Sequence, residues 1–373
     1  MLLKRYVYFI ALLLSAFAQA QSQVVGCTDP AANNYTAAAT VNNGSCTYNS
    51  QSYTPPLRAN LNTTTVKEIS GMIYFNGKLL ALNDSGGGNL LFVLDSTTGD
   101  VLQTITVDGA LNNDWEDLAQ DSTYVYVGDF GNNTSGNRTD LAIYRIERQA
   151  FMQTGNFTIP SSAVSKINFT YPDQTDFTAT ANNSTRFDCE ALIVRRGKIH
   201  LFSKNWLGNY TTHYALPVVP GAYMATRLDS MDTNGIMITG ASLGADDELL
   251  LTGYSKTGAC SLFLLYGFDE SDSIFASGNK RQIQLPSALT TGQIESVCFV
   301  DATHGFVANE YQVFAGIFTV TNKLRTFNSL SWILPYYQHN QKNFAMPGMI
   351  RFNVTTNKYE VFNGNIWENF KGQ

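Results

Sequence analysis

Oxygen-bearing side chains two residues apart recur along this chain. Asp114 with Glu116 and Asp188 with Glu190 are acidic pairs; Gln293 with Glu295 and Glu68 with Ser70 stand in comparable places. Side chains at i and i+2 of a strand lie on the same side of it, so each pair presents two polar groups together. Short polar segments repeat as well: Asn83-Asp84-Ser85-Gly86, Gly128-Asp129-Phe130-Gly131-Asn132, Ser203-Lys204-Asn205, Gly253-Tyr254-Ser255-Lys256 and Asn309-Glu310. Carboxylates brought together repel one another, and a hard cation relieves the repulsion; calcium takes about six to eight oxygens. Glu116, Glu190, Glu295, Asp129 and Asp84 are therefore the candidate calcium ligands. Lys204, Arg138, Asn205 and Asn309 are the candidate ligand-binding residues. Arg138, Lys204 and Lys256 could also hold an anion beside the metal. Two plainer roles compete: Asp and Asn form turns through local side-chain hydrogen bonds, and acids at strand starts can bond backbone amides of a neighbouring layer.

Whether these groups meet depends on the elements that carry them. From about residue 66 the chain consists of apolar runs of Val, Ile, Leu, Tyr and Phe punctuated by Gly, Asn, Asp and Thr, without a helical period. The runs fall into units of four. The first holds 68–72, 78–82, 90–94 and 101–107; the second 114–118, 124–127, 141–146 and 164–171; the third 188–192, 198–202, 211–216 and 223–228. The fourth holds 236–243, 248–252, 261–266 and 281–285, and the fifth 294–299, 305–308 and 313–320. Four strands per repeat mark an all-β fold, a β-propeller of five four-stranded blades, with six as the alternative count and a β-sandwich as the rival architecture. Near-continuous apolar runs suit blades covered on both faces. The fifth unit lacks an outer strand, which Leu57–Leu61 can supply to close the ring. In such a ring the innermost strands start at one face, and the loops joining second to third strands return to it. The acidic pairs and the polar segments then converge at one mouth of the central channel. The fourth unit departs from the pattern, with Met237 and Thr239 in the acidic places.

Composition narrows the partners. With 14% charged, 44% hydrophobic and 12% aromatic residues, the chain is not of the disordered kind. A net charge of −6 argues against nucleic acid. No stretch beyond the extreme N-terminus is long and apolar enough to span a bilayer.

Lys4 and Arg5, the apolar run Tyr6–Phe17 and Ala18-Gln19-Ala20 read as a secretory leader over 1–20. Lipidation at Cys27, after Val24-Val25-Gly26, is the alternative. Cys27 and Cys46 flank a short polar segment poor in core material, and a disulfide between them would staple it. Cys189, Cys260 and Cys298 lie in or beside apolar runs and read as small buried hydrophobes. Gly240-Ala241-Ser242-Leu243-Gly244 matches a nucleophile elbow but runs into another strand, not a helix. Asp84-Ser85-Gly86-Gly87-Gly88 lacks the lysine of a phosphate loop, and no histidine pair stands at metal spacing.

Three resemblances add to this reading. The segment Gly26–Tyr48, with Gly-Cys-Thr-Asp-Pro and Asn-Gly-Ser-Cys, resembles a module of bacterial surface and secreted proteins, which implies an extracellular spacer over 21–50. Asn42-Asn43 stand where that module usually has acids, leaving Asp29 as its one carboxylate. Ser-Gly-Met at 70–72, Trp-Glu-Asp-Leu-Ala at 115–119, Gly-Asp-Phe-Gly-Asn-Asn at 128–133 and Cys-Glu-Ala-Leu at 189–192 resemble a family of secreted bacterial propellers. That family is distantly similar to calcium-dependent phytase-like and lactonase-like propellers. The resemblance implies calcium and hydrolysis of phosphate esters or lactones, with Glu116, Glu190, Glu295, Asp129 and Lys204 in matching places; the dense cationic pocket of a phytase is not evident. The tail, strands near 349–354, 358–362 and 366–370 with Asn363-Gly364 as a hairpin turn, resembles a small module of phage tail fibres and surface adhesins.

The divisions expected are a leader at 1–20, a stapled segment at 21–50, the propeller at 51–325, a linker at 326–347 and a β meander at 348–373. The function expected is capture of a small molecule or extracellular polymer by a secreted or surface propeller with calcium at its mouth. The alternative is a calcium-dependent hydrolase.

Overall fold

The computed structural model describes residues 23–314, 316–330, 332, 350–353, 358–362 and 367–369. The leader lies outside these residues, as do most of the linker and the Asn363-Gly364 turn. Five antiparallel sheets form the blades of a propeller. Blade one runs outward from Ile69–Phe75 through Lys78–Asn83 and Leu90–Leu94 to Val101–Val107. Blade two contains Trp115–Gln120, Tyr124–Asp129, Ala142–Glu147 and Val164–Thr170. Blade three contains Asp188–Arg195, Lys198–Lys204, Tyr210–Pro217 and Thr226–Asp232. Blade four contains Met237–Leu243, Leu249–Tyr254, Cys260–Tyr266 and Asn279–Leu285. Blade five contains Ile294–Phe299, His304–Asn309 and Lys323–Asn328, with Leu57–Asn60 as its outer strand.

The ring is closed, and the hydrophobic cores show it. An open stack of five sheets has four interfaces, whereas this molecule has five inter-blade cores. Trp115 and Leu80 lie between blades one and two, Phe130 and Leu201 between two and three, and Phe202 and Leu251 between three and four. Leu262 and Phe327 lie between four and five. The fifth core joins Leu79 and Phe92 of blade one to Phe306 and Leu324 of blade five. The closing strand Leu57–Asn60 pairs antiparallel with Lys323–Asn328, as the missing outer strand of the fifth unit required.

Three details differ from the sequence reading, two of them at sheet edges. The third strand of blade five is Lys323–Asn328, because Gln312–Phe314 and Phe318–Val320 form a separate hairpin in the loop before it. The outer strand of blade three is Thr226–Asp232, because Gly221–Met224 pairs parallel with blade two instead. Blades one and four also gain parallel edge strands, Phe157–Ile159 and Gln51–Ser52. Edge strands bury little and carry little patterning, so register there is weakly written in sequence.

Cys27 and Cys46 are bonded, S–S 2.04 Å. Their loop is fastened to blade four rather than hanging from it. Asp29, fully buried, accepts from the hydroxyls of Tyr48 and Tyr266 at 2.7 Å each and from the amide of Ala31 at 2.9 Å. Lys280 donates to the Gly44 carbonyl at 2.8 Å, and the Arg281 guanidinium covers the Tyr48 ring at 4.1 Å. The C-terminal strands Ile350–Asn353, Lys358–Phe362 and Trp367–Asn369 form an antiparallel sheet of three. No helix among the described residues is long and apolar enough to cross a membrane.

Candidate metal centre at the channel mouth

The acidic positions meet because the innermost strands are bulged. Each pairing of an innermost strand with its neighbour slips register near the mouth: at Ile69/Met72, Val127/Asp129, Cys189/Ala191, Ile238/Gly240 and Ile294/Ser296. A bulge frees residues from the ladder and re-aims their side chains. The freed positions include Glu116, Glu190 and Glu295, with Ser70 and Thr239 in blades one and four. The two hydroxyls lock the ring. Ser70 Oγ donates to the Glu116 carbonyl and Thr239 Oγ1 to the Ile294 carbonyl, both at 2.6 Å. Ser296 Oγ continues the pattern onto the Ser70 carbonyl at 2.6 Å. The departure of blade four from the acidic pattern is thus a hydroxyl latch.

Two overlapping groups of carboxylates result. One oxygen each from Asp84, Asp114 and Glu116 lie within 4.8 Å of one another, as do oxygens from Glu116, Asp188 and Glu190. The second group is largely supplied with donors. Asp188 accepts from the Asn132 amide at 2.6 Å and from Trp206 Nε1 at 2.7 Å. Glu190 holds Lys204 Nζ with both oxygens, at 2.7 and 2.6 Å. The first group is poorly supplied: Glu116 receives only a long 3.4 Å contact from a hydroxyl already donated elsewhere. Gly131 borders this niche, where an added Cβ would come within 2.1 Å of Glu116 Oε1 and 2.4 Å of Asp114 Oδ2. Glycine there leaves the carboxylates their space.

The electrostatics follow from burial. Asp114 is pushed up to about 8, first by burial and then by the charges of Asp84 and Asp188. Burial, followed by Asp84 and Glu190, holds Glu116 well above the carboxylate range. Glu295 is pushed up to about 7 by burial, against the pull of Lys204 and the Tyr254 hydroxyl. Burial opposes the charge of Lys204 and is the largest single influence, but Glu190, Tyr254, Glu295 and Asp188 together outweigh it and the ammonium is stabilised. Two buried oxygens at the mouth, Asp129 Oδ2 and Glu295 Oε2, have no hydrogen-bond partner among the described residues.

A pH dependence results. A carboxyl whose folded pKa lies above its unfolded value binds protons more tightly when folded, so stability falls as pH rises from about 4 through that folded value. Asp114 and Glu295, joined by Glu248, which burial pushes up to about 7, should make the chelator-treated protein more stable at pH 6.5 than at pH 8 by at least about 2 kcal/mol. His200, pushed down to about 3 chiefly by burial, opposes the trend only below its unfolded value near 6.5. Urea unfolding at the two pH values checks this. A cation held by the cluster would remove or reverse the difference, because it would keep the carboxylates ionised.

The remaining sequence candidates are placed as follows. Asp129 is fully buried behind the cluster, where Oδ1 accepts from Arg138 Nη2 at 2.9 Å and from the Asp114 amide at 3.1 Å. Arg138 also donates to Asp140 and to the Gly131 carbonyl. Asn205 Oδ1 accepts from the Leu207 amide. Asn309, buried, spans the Glu310 and Thr321 carbonyls and accepts from Arg325. Asp84 is at the surface end of the niche. Sequence reasoning left three participants without a role. Tyr254 receives Lys204 at 3.2 Å, and Trp206 anchors Asp188. Asp117 lies buried beside the axis, where its carboxylate accepts from the amides of Leu118, Leu192 and Ala241, at 2.8, 3.0 and 3.3 Å. Its position in Trp-Glu-Asp-Leu was the available signal.

No protein-family model matches the chain, and no curated protein sequence matches it. Among solved structures it is similar to a PQQ-bound aldose sugar dehydrogenase of Streptomyces coelicolor, with 10% identity over 74% of this chain and 97% of that one, TM-score 0.40. It is similar to a calcium-binding protein, regucalcin, of Agrobacterium tumefaciens, with 14% identity over 74% and 97%, TM-score 0.38. It is also similar to an alpha-L-arabinanase of Penicillium chrysogenum, with 8% identity over 74% and 98%, TM-score 0.40. At these scores the likeness bears on architecture at most, and function rests on the site itself.

Proposed function

We propose that this protein is a secreted or cell-surface propeller that captures a small molecule or extracellular polymer at its channel mouth with the help of calcium. The observation that carries the reading is the niche of Asp84, Asp114 and Glu116. Three carboxylates point oxygens at one another there with few donors, beside the unpartnered buried Asp129 Oδ2 and Glu295 Oε2. Such an arrangement is costly without a compensating charge. The donors are all oxygens, which suits a hard cation. Glu116, Asp114 and Asp84 would hold the ion; Glu190 and Asp188 would form the wall behind it. A bound calcium would offer a positive anchor to ligand oxygens. The leader-like N-terminus and the Cys27–Cys46 disulfide support export.

A hydrolytic reading has one observation in its favour. Glu295, at about 7 with a free oxygen, is poised to move a proton near neutral pH. Against it, the two cations built into the mouth are committed to carboxylates, Lys204 to Glu190 and Arg138 to Asp129 and Asp140. That leaves no preformed clamp for a phosphate beside the acid cluster among the described residues, and supports binding over phosphate-ester hydrolysis.

Calcium titration of chelator-stripped protein tests the proposal. At a hundredfold excess over Kd the ion should stabilise by about 2.7 kcal/mol, raising Tm by roughly 4 °C. Glu116→Gln should abolish both the binding isotherm and the shift while keeping the fold. A Tm indifferent to chelator and calcium, with a flat isotherm, would overturn the metal assignment.

A further inference from the structure

Between blades three and four the mouth face carries a second hollow, of about 390 Å³, which takes in none of the carboxylates of the acid cluster. Trp206, Asn205, Asn209, Asn234, Ser255 and Lys256 line it. The indole is fixed in orientation, since its Nε1–H is held by Asp188 Oδ2 at 2.7 Å. Around this plate the chain sets amides, a hydroxyl and an ammonium. Lys256 lies 6.0 Å from the indole ring, is exposed, and makes no ion pair or hydrogen bond with any described residue. It differs in this from the other two cations of the face, Lys204 and Arg138, which are tied to Glu190 and Asp129.

The groups define a ligand chemistry. Binding hollows pair an apolar surface with a few polar groups that fix orientation, and a half-buried indole offers a large flat apolar face with little entropy to lose. Asn234 Nδ2 already donates to Gln282, and Ser255 Oγ is held by Thr257 and the Ala259 amide, so Asn205 Nδ2 and the Asn209 side chain are the groups left to meet a rim of hydroxyl groups. An unpaired ammonium at the edge calls for an anion. A ring with one apolar face, a hydroxylated rim and a carboxylate is a sugar acid. We propose that this hollow is a subsite for an acidic saccharide, with a uronate ring stacked on Trp206 and its carboxylate on Lys256. The inference rests on the mouth being the ligand-binding face, and not on the metal.

Isothermal titration with trigalacturonate and with neutral maltotriose, each in chelator and in calcium, provides the test. Wild-type protein should bind trigalacturonate in chelator and bind maltotriose at least tenfold more weakly. Lys256→Gln should weaken trigalacturonate roughly tenfold, the size of one charge-assisted hydrogen bond, with Tm and the calcium isotherm unchanged. Three results would each overturn the subsite: no trigalacturonate binding in chelator, equal affinity for the two trisaccharides, or wild-type affinity in Lys256→Gln. Binding seen in calcium alone also counts against it and points to the ion as the anchor. The calcium isotherm, measured without saccharide, separates failure of the metal assignment from failure of this one.

Discussion

Glu190→Gln is expected to cost about 3–5 kcal/mol of stability, far more than Glu116→Gln a few ångströms away. The difference lies in what each carboxylate faces. Glu190 is the bidentate partner of Lys204, and both side chains are 5% exposed or less. Glutamine would leave the ammonium buried with a neutral amide and the Tyr254 hydroxyl. A variant that breaks such a pair on one side is penalised by the uncompensated charge. The check is a comparison of urea midpoints for Glu190→Gln, Lys204→Met and the double variant. Lys204→Met alone should be nearly as harmful, because it removes the counter-charge from the acidic mouth, while the pair together should recover at least half the loss. Additive losses would show that the ion pair is not what holds this side of the hub. Calcium experiments on Glu190 variants therefore mix stability with binding, and Glu116 is the cleaner position to alter.

Asp117→Ala should be as damaging, for a different reason. This carboxylate is 1% exposed and receives three backbone amides, one from its own strand and one each from blades three and four. Alanine would orphan all three donors beside the channel axis, where the inner strands crowd together. Gly71, whose added Cβ would fall 2.7 Å from Asp117 Cα, marks how little room a rearrangement or a new water has. At about 1–3 kcal/mol for each donor left unsatisfied, the loss should be at least 3 kcal/mol. Thermal unfolding should show it as a Tm drop of roughly 4 °C or more. Asp117→Asn should recover part of it, since the amide oxygen can still accept. A wild-type Tm in Asp117→Ala would mean that the hub does not depend on this tie.

The sequence is most legible where burial is deepest. Runs such as Leu249–Tyr254 and Cys260–Tyr266 are buried at every position, so their apolar continuity marks them and their spacing yields the blades. The acidic pairs are legible because a charged residue in an otherwise apolar strand start needs a reason. Three kinds of feature are not. Edge strands such as Gly221–Met224 are mostly exposed and have no pattern to betray which sheet they join. Bulges are a matter of register between two strands, so neither Cys189 nor Ala191 announces that Glu190 is freed between them. Contacts across a hairpin also stay hidden. His200 and His213, thirteen residues apart, meet at 2.8 Å inside blade three, and His213 in turn reaches Asp229 at 2.7 Å. The antiparallel pairing that joins them, Phe202 opposite His213, has to be known first.

The strand Leu57–Asn60 is made early and its partner Lys323–Asn328 more than 260 residues later. A ribosome delivering this chain from its first residue must release four blades' worth of polypeptide before the fifth can be completed. Until then the outer faces of the first and last sheets, with Phe92 and Phe306 among them, have no cover. Closure is thus a late, long-range event with a high loop-entropy barrier, and a nascent chain in that state is what chaperones would meet.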